Sequence, residues 1–233
     1  MPYEPRTIGL HCELVHPPMT PDPRVVQQLH NQMFQEAMPA YSSFAVTPMG
    51  PALSNTFPMP GRISQVLFLA DQIQVREEQT ALTHEGFGRR VHTLGEQYAE
   101  ARGIENYQGQ RVTLRAVVNP LQQRDSRRFL EQALYSGGAT ASPVQEAFGQ
   151  SAELYGLRLA FTGTEGEDSS MGLRIESYTP DPRSLFIEVQ GTFGALQPYQ
   201  GMEALAGRVE SVSQFLEQRV LRFIETLDRA PKA

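Results

Sequence analysis

The residues best suited to acid–base work are His84, Glu85 and His92, in Thr83-His84-Glu85-Gly86-Phe87-Gly88-Arg89-Arg90-Val91-His92. On a helix, two histidines eight residues apart stand about 12 Å from each other along the axis. One metal ion cannot bridge that distance, and Glu85 at a helix start is accounted for by the helix dipole. Capping and surface roles are expected here. His11 and Glu13 form a second group, on one face of an alternating strand. Side chains two apart on a strand are neighbours. With Arg115 they could line a polar pocket between two lobes, or simply a solvated face. Cys12 points the other way, as a buried structural thiol would. A third group, Arg124, Arg127 and Arg128, surrounds a helix start. The helix dipole disfavours positive charge there. Either a solvated face capped by Asp125 or Ser126 is expected, or a site for an anion or an acidic partner, where amides and guanidinium groups converge. No phosphate loop, dinucleotide fingerprint, zinc-protease or nucleophile-elbow pattern occurs. No catalytic residue, metal ligand or cofactor is indicated.

The elements that must position these groups follow from composition and periodicity. The chain has 233 residues and a formal net charge of −6. That is enough chain for one large domain or two small ones, and the acidic balance disfavours non-specific nucleic-acid binding. Cys12 is the one cysteine, so no internal disulfide is possible. The N-terminus lacks a signal peptide's pattern, and no apolar run reaches the eighteen residues a membrane span requires. A prokaryotic cytoplasmic protein is expected.

Residues 7–15 alternate as a half-buried strand. Val25, Val26, Leu29, Met33 and Ala37 carry a helix over 23–38. Residues 62–78 read as strand throughout, with a kink or bulge at Ala70-Asp71-Gln72. Thr83 starts a helix that Gly103 ends. Residues 110–120 form a strand, 126–134 a short helix, and Ser142 opens another helix. Three alternating strands, 154–163, 171–178 and 184–193, form an antiparallel meander with an acidic loop at 164–170. A long helix over 201–228 carries Leu205, Val209, Val212, Leu216, Val220, Phe223 and Leu227 as one stripe. The expected fold is α+β with two lobes meeting near Ser136-Gly137-Gly138. Residues 1–138 form an α/β lobe with a mixed sheet and helices. Residues 139–233 form the meander and the long C-terminal helix.

The pentapeptide Thr-Pro-Asp-Pro-Arg occurs at 20–24 and again at 179–183. Residues before proline are extended and proline suits a first helical position. The first copy is therefore a helix start capped by Asp22. The second is a type I turn over Asp181-Pro182-Arg183-Ser184 leading into a strand. Turn chemistry used twice explains both; a decayed duplication, suggested by the similar 8–13 and 171–176 upstream, is the other reading.

The order of elements, with "QVLFLADQIQVREE", "RVTLRAVVNP" and the terminal "FLEQRVLRFIETLD", resembles a sporadically distributed family of prokaryotic proteins of similar length. Leu114-Arg115-Ala116-Val117-Val118-Asn119 stands where members of that family carry a Leu-Arg-aromatic-aliphatic-Asn signature. The resemblance implies a fold and no activity.

One stretch stands apart. Residues 37–61 hold five prolines and no charged residue. A loop of that length is unusual in a compact domain, and disorder normally comes with charge. Tyr41, Phe44, Val46, Leu53 and Phe57 would form an exposed apolar patch, which monomers rarely keep. The expectation is a contact surface, against the other lobe or another chain. The leading reading is thus a non-catalytic interaction or assembly protein, with a protein partner or self-association. The alternative is a small-ligand-binding protein or enzyme with a polar pocket holding His11, Glu13 and Arg115.

Overall fold

The structure is a computed structural model describing residues 3–35, 39–57, 59–122, 125–135, 156–163, 168–196 and 201–229. Its strands are β1 (Arg6–Val15), β2 (Ser43–Thr47), β3 (Gly50–Asn55), β4 (Ile63–Phe68), β5 (Gln72–Glu78), β6 (Gly109–Val118), β7 (Gly156–Thr162), β8 (Ser169–Ser177) and β9 (Leu185–Phe193). They form one nine-stranded sheet in the order β2-β3-β4-β5-β1-β6-β9-β8-β7. Every pairing is antiparallel. The fold is α+β as expected, but the mixed sheet expected for the first half is antiparallel. Its strands return by tight hairpins, and β1 meets both β5 and β6 head to tail. The sheet also runs unbroken across the expected lobe boundary, because β6 pairs with β9.

The described helices are α1 (Pro23–Met33), α2 (His84–Arg102), α3 (Ser126–Tyr135), α4 (Ala204–Phe215) and α5 (Leu221–Arg229). A π turn, Leu216–Val220, joins the last two into one long C-terminal helix. All pack on the same face of the sheet. Val26 and Leu29 of α1, Phe87 and Val91 of α2, Phe129 of α3 and Leu205 and Val209 of α4 share one core with Leu10, Cys12 and Leu14 of β1. Residues one step along the strand therefore face away from the helices. The close approach of α2 to α4 depends on Gly95: a Cβ there would lie 2.7 Å from Leu205 Cδ1.

The π turn corrects the expected stripe. Leu205, Val209, Val212, Leu216 and Val220 are buried as the 3.6-residue period requires. Beyond the turn, Leu221, Ile224 and Asp228 are buried instead, and Phe223 and Leu227 are half-buried. The Leu221 amide donates to Leu216 O, five residues back. One extra residue in that turn rotates the next face by about 100°.

Among the described residues the two halves repeat one order of elements. Strand β1, helix α1, meander β3-β4-β5 and helix α2 are matched by β6, α3, β7-β8-β9 and α4. The first strands of the two units, β1 and β6, pair at the centre. Pro17 precedes Asp22 by the same interval as Pro120 precedes Asp125, and both aspartates cap the helix that follows. The Thr-Pro-Asp-Pro-Arg copies do not follow this repeat: one lies between β1 and α1, the other between β8 and β9. Their local chemistry is nevertheless shared. Asp22 Oδ1 accepts from the Arg24 amide at 2.9 Å, and Asp181 Oδ1 from the Arg183 amide at 3.2 Å. The Ser184 amide donates to Asp181 O at 2.9 Å, closing the expected turn. The pentapeptide is turn chemistry used twice.

Strand β2 has no counterpart among the described residues of the second half. It is an addition to the repeated unit, and it forms one outer edge of the sheet.

Candidate functional site

Residues 43–55 of the charge-free segment fold as a hairpin, not as the long loop its prolines suggest. The hairpin tolerates Pro48 and Pro51 because the first stands at the turn and the second on the outermost pair, where a missing amide costs little. Thr47 pairs with Gly50 across Pro48-Met49, and Phe44 pairs with Leu53. Thr47 Oγ1 donates to Gly50 O at 2.8 Å and accepts from the Met49 and Gly50 amides. Gly50 has φ +146°, and a Cβ there would meet Phe68 O at 2.4 Å. Only glycine fits that position.

The base of the hairpin is fixed firmly. Asn55 donates to Ala40 O at 2.8 Å and to Ser64 Oγ at 3.0 Å, and accepts from the Ser42 amide at 2.9 Å. Tyr41 is fully buried; its hydroxyl donates to Glu77 at 3.4 Å, and burial pushes its pKa up. Glu77, also buried, accepts from Ser64 Oγ at 2.8 Å and pairs with Arg90. The Arg90 guanidinium lies over the Tyr41 ring, 5.0 Å from its centroid. Leu53 is fully buried. Tyr41 and Leu53 therefore serve the molecule's own core.

The outer strand is a different environment. Val46 is 62% exposed and Met49 63%, and Phe34 at the end of α1 is 53% exposed. Phe34 and Phe44 both pack beside His30 at a tilt, with ring centroids at 4.9 and 6.4 Å from it. Phe44 is half-buried, Val46 follows it on the same side of β2, and Phe57 is half-buried beyond β3. In an antiparallel ladder, alternate residues turn their amides and carbonyls to opposite neighbours. Half of the backbone groups of β2 thus point away from β3. Sheet edges are normally blunted by charge, proline, a bulge or extreme shortness. Ser43-Phe44-Ala45-Val46-Thr47 has ordinary strand length and carries none of these guards.

His11, Glu13 and Arg115 lie on the face of the sheet turned from the helices, where His11 and Arg115 meet at Glu78 and Glu13 stands apart, opposite Arg111. His11 Nε2 lies 3.0 Å from Glu78 Oε1, which Arg76 also holds at 2.7 Å. Arg115 bridges Glu78 at 3.7 Å and Glu188 at 2.7 Å, and Arg174 reaches Glu188 at 3.5 Å. Glu13 pairs with Arg111 at 2.8 Å. Burial, and next the positive Arg115, hold the His11 pKa below its ordinary value, against the pull of Glu78. Burial raises the pKa of Glu78, yet Arg76 and His11 together bring it below the usual carboxylate range. The result is a chain of paired charges from Arg76 through Glu78, Arg115 and Glu188 to Arg174, with the Glu13–Arg111 pair separate from it. None of the three is among the residues that line the cleft at the end of the sheet.

This cleft of about 390 Å³ lies at one end of the sheet, lined by residues of both halves: Tyr3, Glu4, Arg6, Val117, Val118, Asn119, Leu121, Asp181 and Ser184. Ser184 Oγ lies 2.6 Å from Asn119 Oδ1 and 2.9 Å from Asp181 Oδ2. No spacing in the sequence marks it, because its walls come from chain segments far apart.

Thr83 Oγ1 caps α2 by accepting from the Gly86 amide at 3.1 Å, and His84 pairs with Glu210 of α4 at 3.4 Å. Cys12 is buried, and burial pushes its thiol up to about 12. Arg127 and Arg128 are exposed at the start of α3, where Asp125 Oδ1 already accepts both their amides, at 2.9 and 3.2 Å. Arg124 and the Ser142 helix start lie outside the described residues. Among the described residues no group of three or more His, Cys, Asp or Glu side chains could hold a metal ion, and no helix is long and apolar enough to cross a membrane. No protein-family model matches the chain, and no curated protein matches it significantly.

Proposed function

We propose that the protein is a non-catalytic interaction or assembly protein that takes its partner on the outer edge of β2. The observation that carries this reading is that β2, an edge strand with an apolar flank, holds no charge, proline or bulge, whereas β7 at the opposite edge carries Arg158. The unpaired backbone groups of β2 supply hydrogen bonds to an added strand, and Phe34, Phe44 and Val46 supply the side-chain contact. The hairpin base is rigid, so little ordering entropy is lost on binding. In this reading the protein works in the prokaryotic cytoplasm. The test is the native size of the tagged protein in extracts of its own cells. Wild type runs larger than its 26.0 kDa chain, and Val46→Lys runs as a single chain with an unchanged thermal midpoint. A wild type that runs as a single chain overturns the reading.

A second reading, a small-ligand-binding protein, is favoured by the polar cleft. Its volume suits a small molecule, and Arg6 offers a guanidinium to an anionic group. A thermal shift with small carboxylates or phosphates that Arg6→Gln abolishes supports it; no shift with any of them removes it.

A further inference from the structure

Resting on that reading of the β2 edge, we infer that the occupant is a second copy of this chain. The two β2 strands pair antiparallel around a two-fold axis at Ala45. Such an axis sets each residue opposite the one equally distant on the far side of Ala45. Ser43 then meets the partner's Thr47, Phe44 meets the partner's Val46, and Ala45 meets the partner's Ala45.

The strand is close to a palindrome in chemical type, Ser-Phe-Ala-Val-Thr. Hydroxyl meets hydroxyl, aromatic meets β-branched, and the smallest side chain sits on the axis. Both of the first two pairings are favourable across strands. A two-fold axis also brings like charges near one another, so a self-pairing strand is best left uncharged. No charged residue occurs between 37 and 61. A foreign partner gives no reason for charge to be missing from the whole segment, since complementary charge would sharpen its selection.

The faces agree with this arrangement. Phe44 and Val46 lie on the helix side of the sheet, and Phe34 of α1 stands beside Phe44 through His30. Pairing draws two such flanks together and covers the exposed parts of Phe34 and Val46. On the other side Ser43, Ala45 and Thr47 are small and cause no clash. The nine-stranded sheets of the two copies then run on as one.

The test uses the purified full chain. Sedimentation velocity over a wide concentration range is expected to show a dimer. Ala45→Lys and Ala45→Glu each place like charges opposite one another at the axis, and each is expected to weaken self-association about tenfold or more. Mixing the two variants restores the dimer, because the axis then sets lysine against glutamate. Ala45→Cys is expected to give a disulfide-linked dimer on mild oxidation, whereas wild type gives none because Cys12 is buried. Ala45 is exposed, so all three variants keep the wild-type thermal midpoint when each is measured dilute enough to be monomeric; a variant that unfolds is replaced by the Ala45→Cys result. A monomeric wild type without cross-linking at Ala45→Cys overturns the second copy as the partner. If the extract size still falls with Val46→Lys, the edge reading stands with a foreign strand; if it does not, both fall.

Discussion

The Tyr3 hydroxyl donates to Asp228 Oδ2 at 2.5 Å across 225 residues of chain. The same carboxylate accepts from the Leu121 amide at 2.7 Å and the Gln122 amide at 3.1 Å. Burial, and then Asp228, push the tyrosine pKa up. One side chain near the end of the long helix thus ties down the start of the chain and the exit from β6, both of which wall the cleft.

Asp228→Ala leaves the buried Tyr3 hydroxyl without an acceptor. The expected cost is about 1–3 kcal/mol of stability, the penalty for an unmet buried group. Urea denaturation reads it, and an unchanged midpoint contradicts the role assigned to Asp228.

The π turn makes a second prediction by setting the register of α5. Ile224 is fully buried and Leu216 2% exposed, while Phe223 is half-buried. Leu216→Ala and Ile224→Ala should each cost about 2–5 kcal/mol, as buried aliphatic residues do. Phe223→Ala, despite its larger side chain, should cost less than Ile224→Ala. The reverse order would place the stripe where an unbroken α-helix puts it.

The sequence showed the alternation of β1, β6, β8 and β9, the caps at Asp22 and Thr83, and the charge-free segment, because each depends on neighbours a few residues away. It did not show the π turn, since the 3.6-residue pattern continues through Val220 to Phe223 and Leu227. The run 62–78 looked like one strand because Val66, Leu67, Phe68 and Leu69 are all apolar. The chain in fact reverses at Leu69, whose amide donates to Gln72 O at 2.9 Å. Segment 37–61 could be singled out by its lack of charge. That Tyr41 and Leu53 turn inward while Val46 stays out depends on β2 being the last strand, a fact of long-range topology. The cleft has the same origin.

His11 makes the stability depend on pH. Its pKa in the folded protein lies below the ordinary 6.5, so the unfolded chain binds the proton more readily. Stability therefore rises with pH from the folded value up to about 6.5 and is level above. The facing groups are Glu78, Arg76 and Arg115; of these, Glu78 titrates below its ordinary 4.5 and acts in a lower window. Acidifying wild type from about pH 7.5 to about pH 5 should lower its denaturation midpoint, and His11→Gln should lose less over that range. Equal losses contradict the coupling.

The edge of β2 is tested most directly by amide hydrogen exchange. Exchange over Ser43–Thr47 is measured in the associated protein and in monomeric Val46→Lys. If β2 is the contact, its outward amides exchange markedly more slowly in the associated form, while the central strands β1 and β6 exchange alike in both. Equal exchange over β2 in an associated and a monomeric sample would show that the contact lies elsewhere.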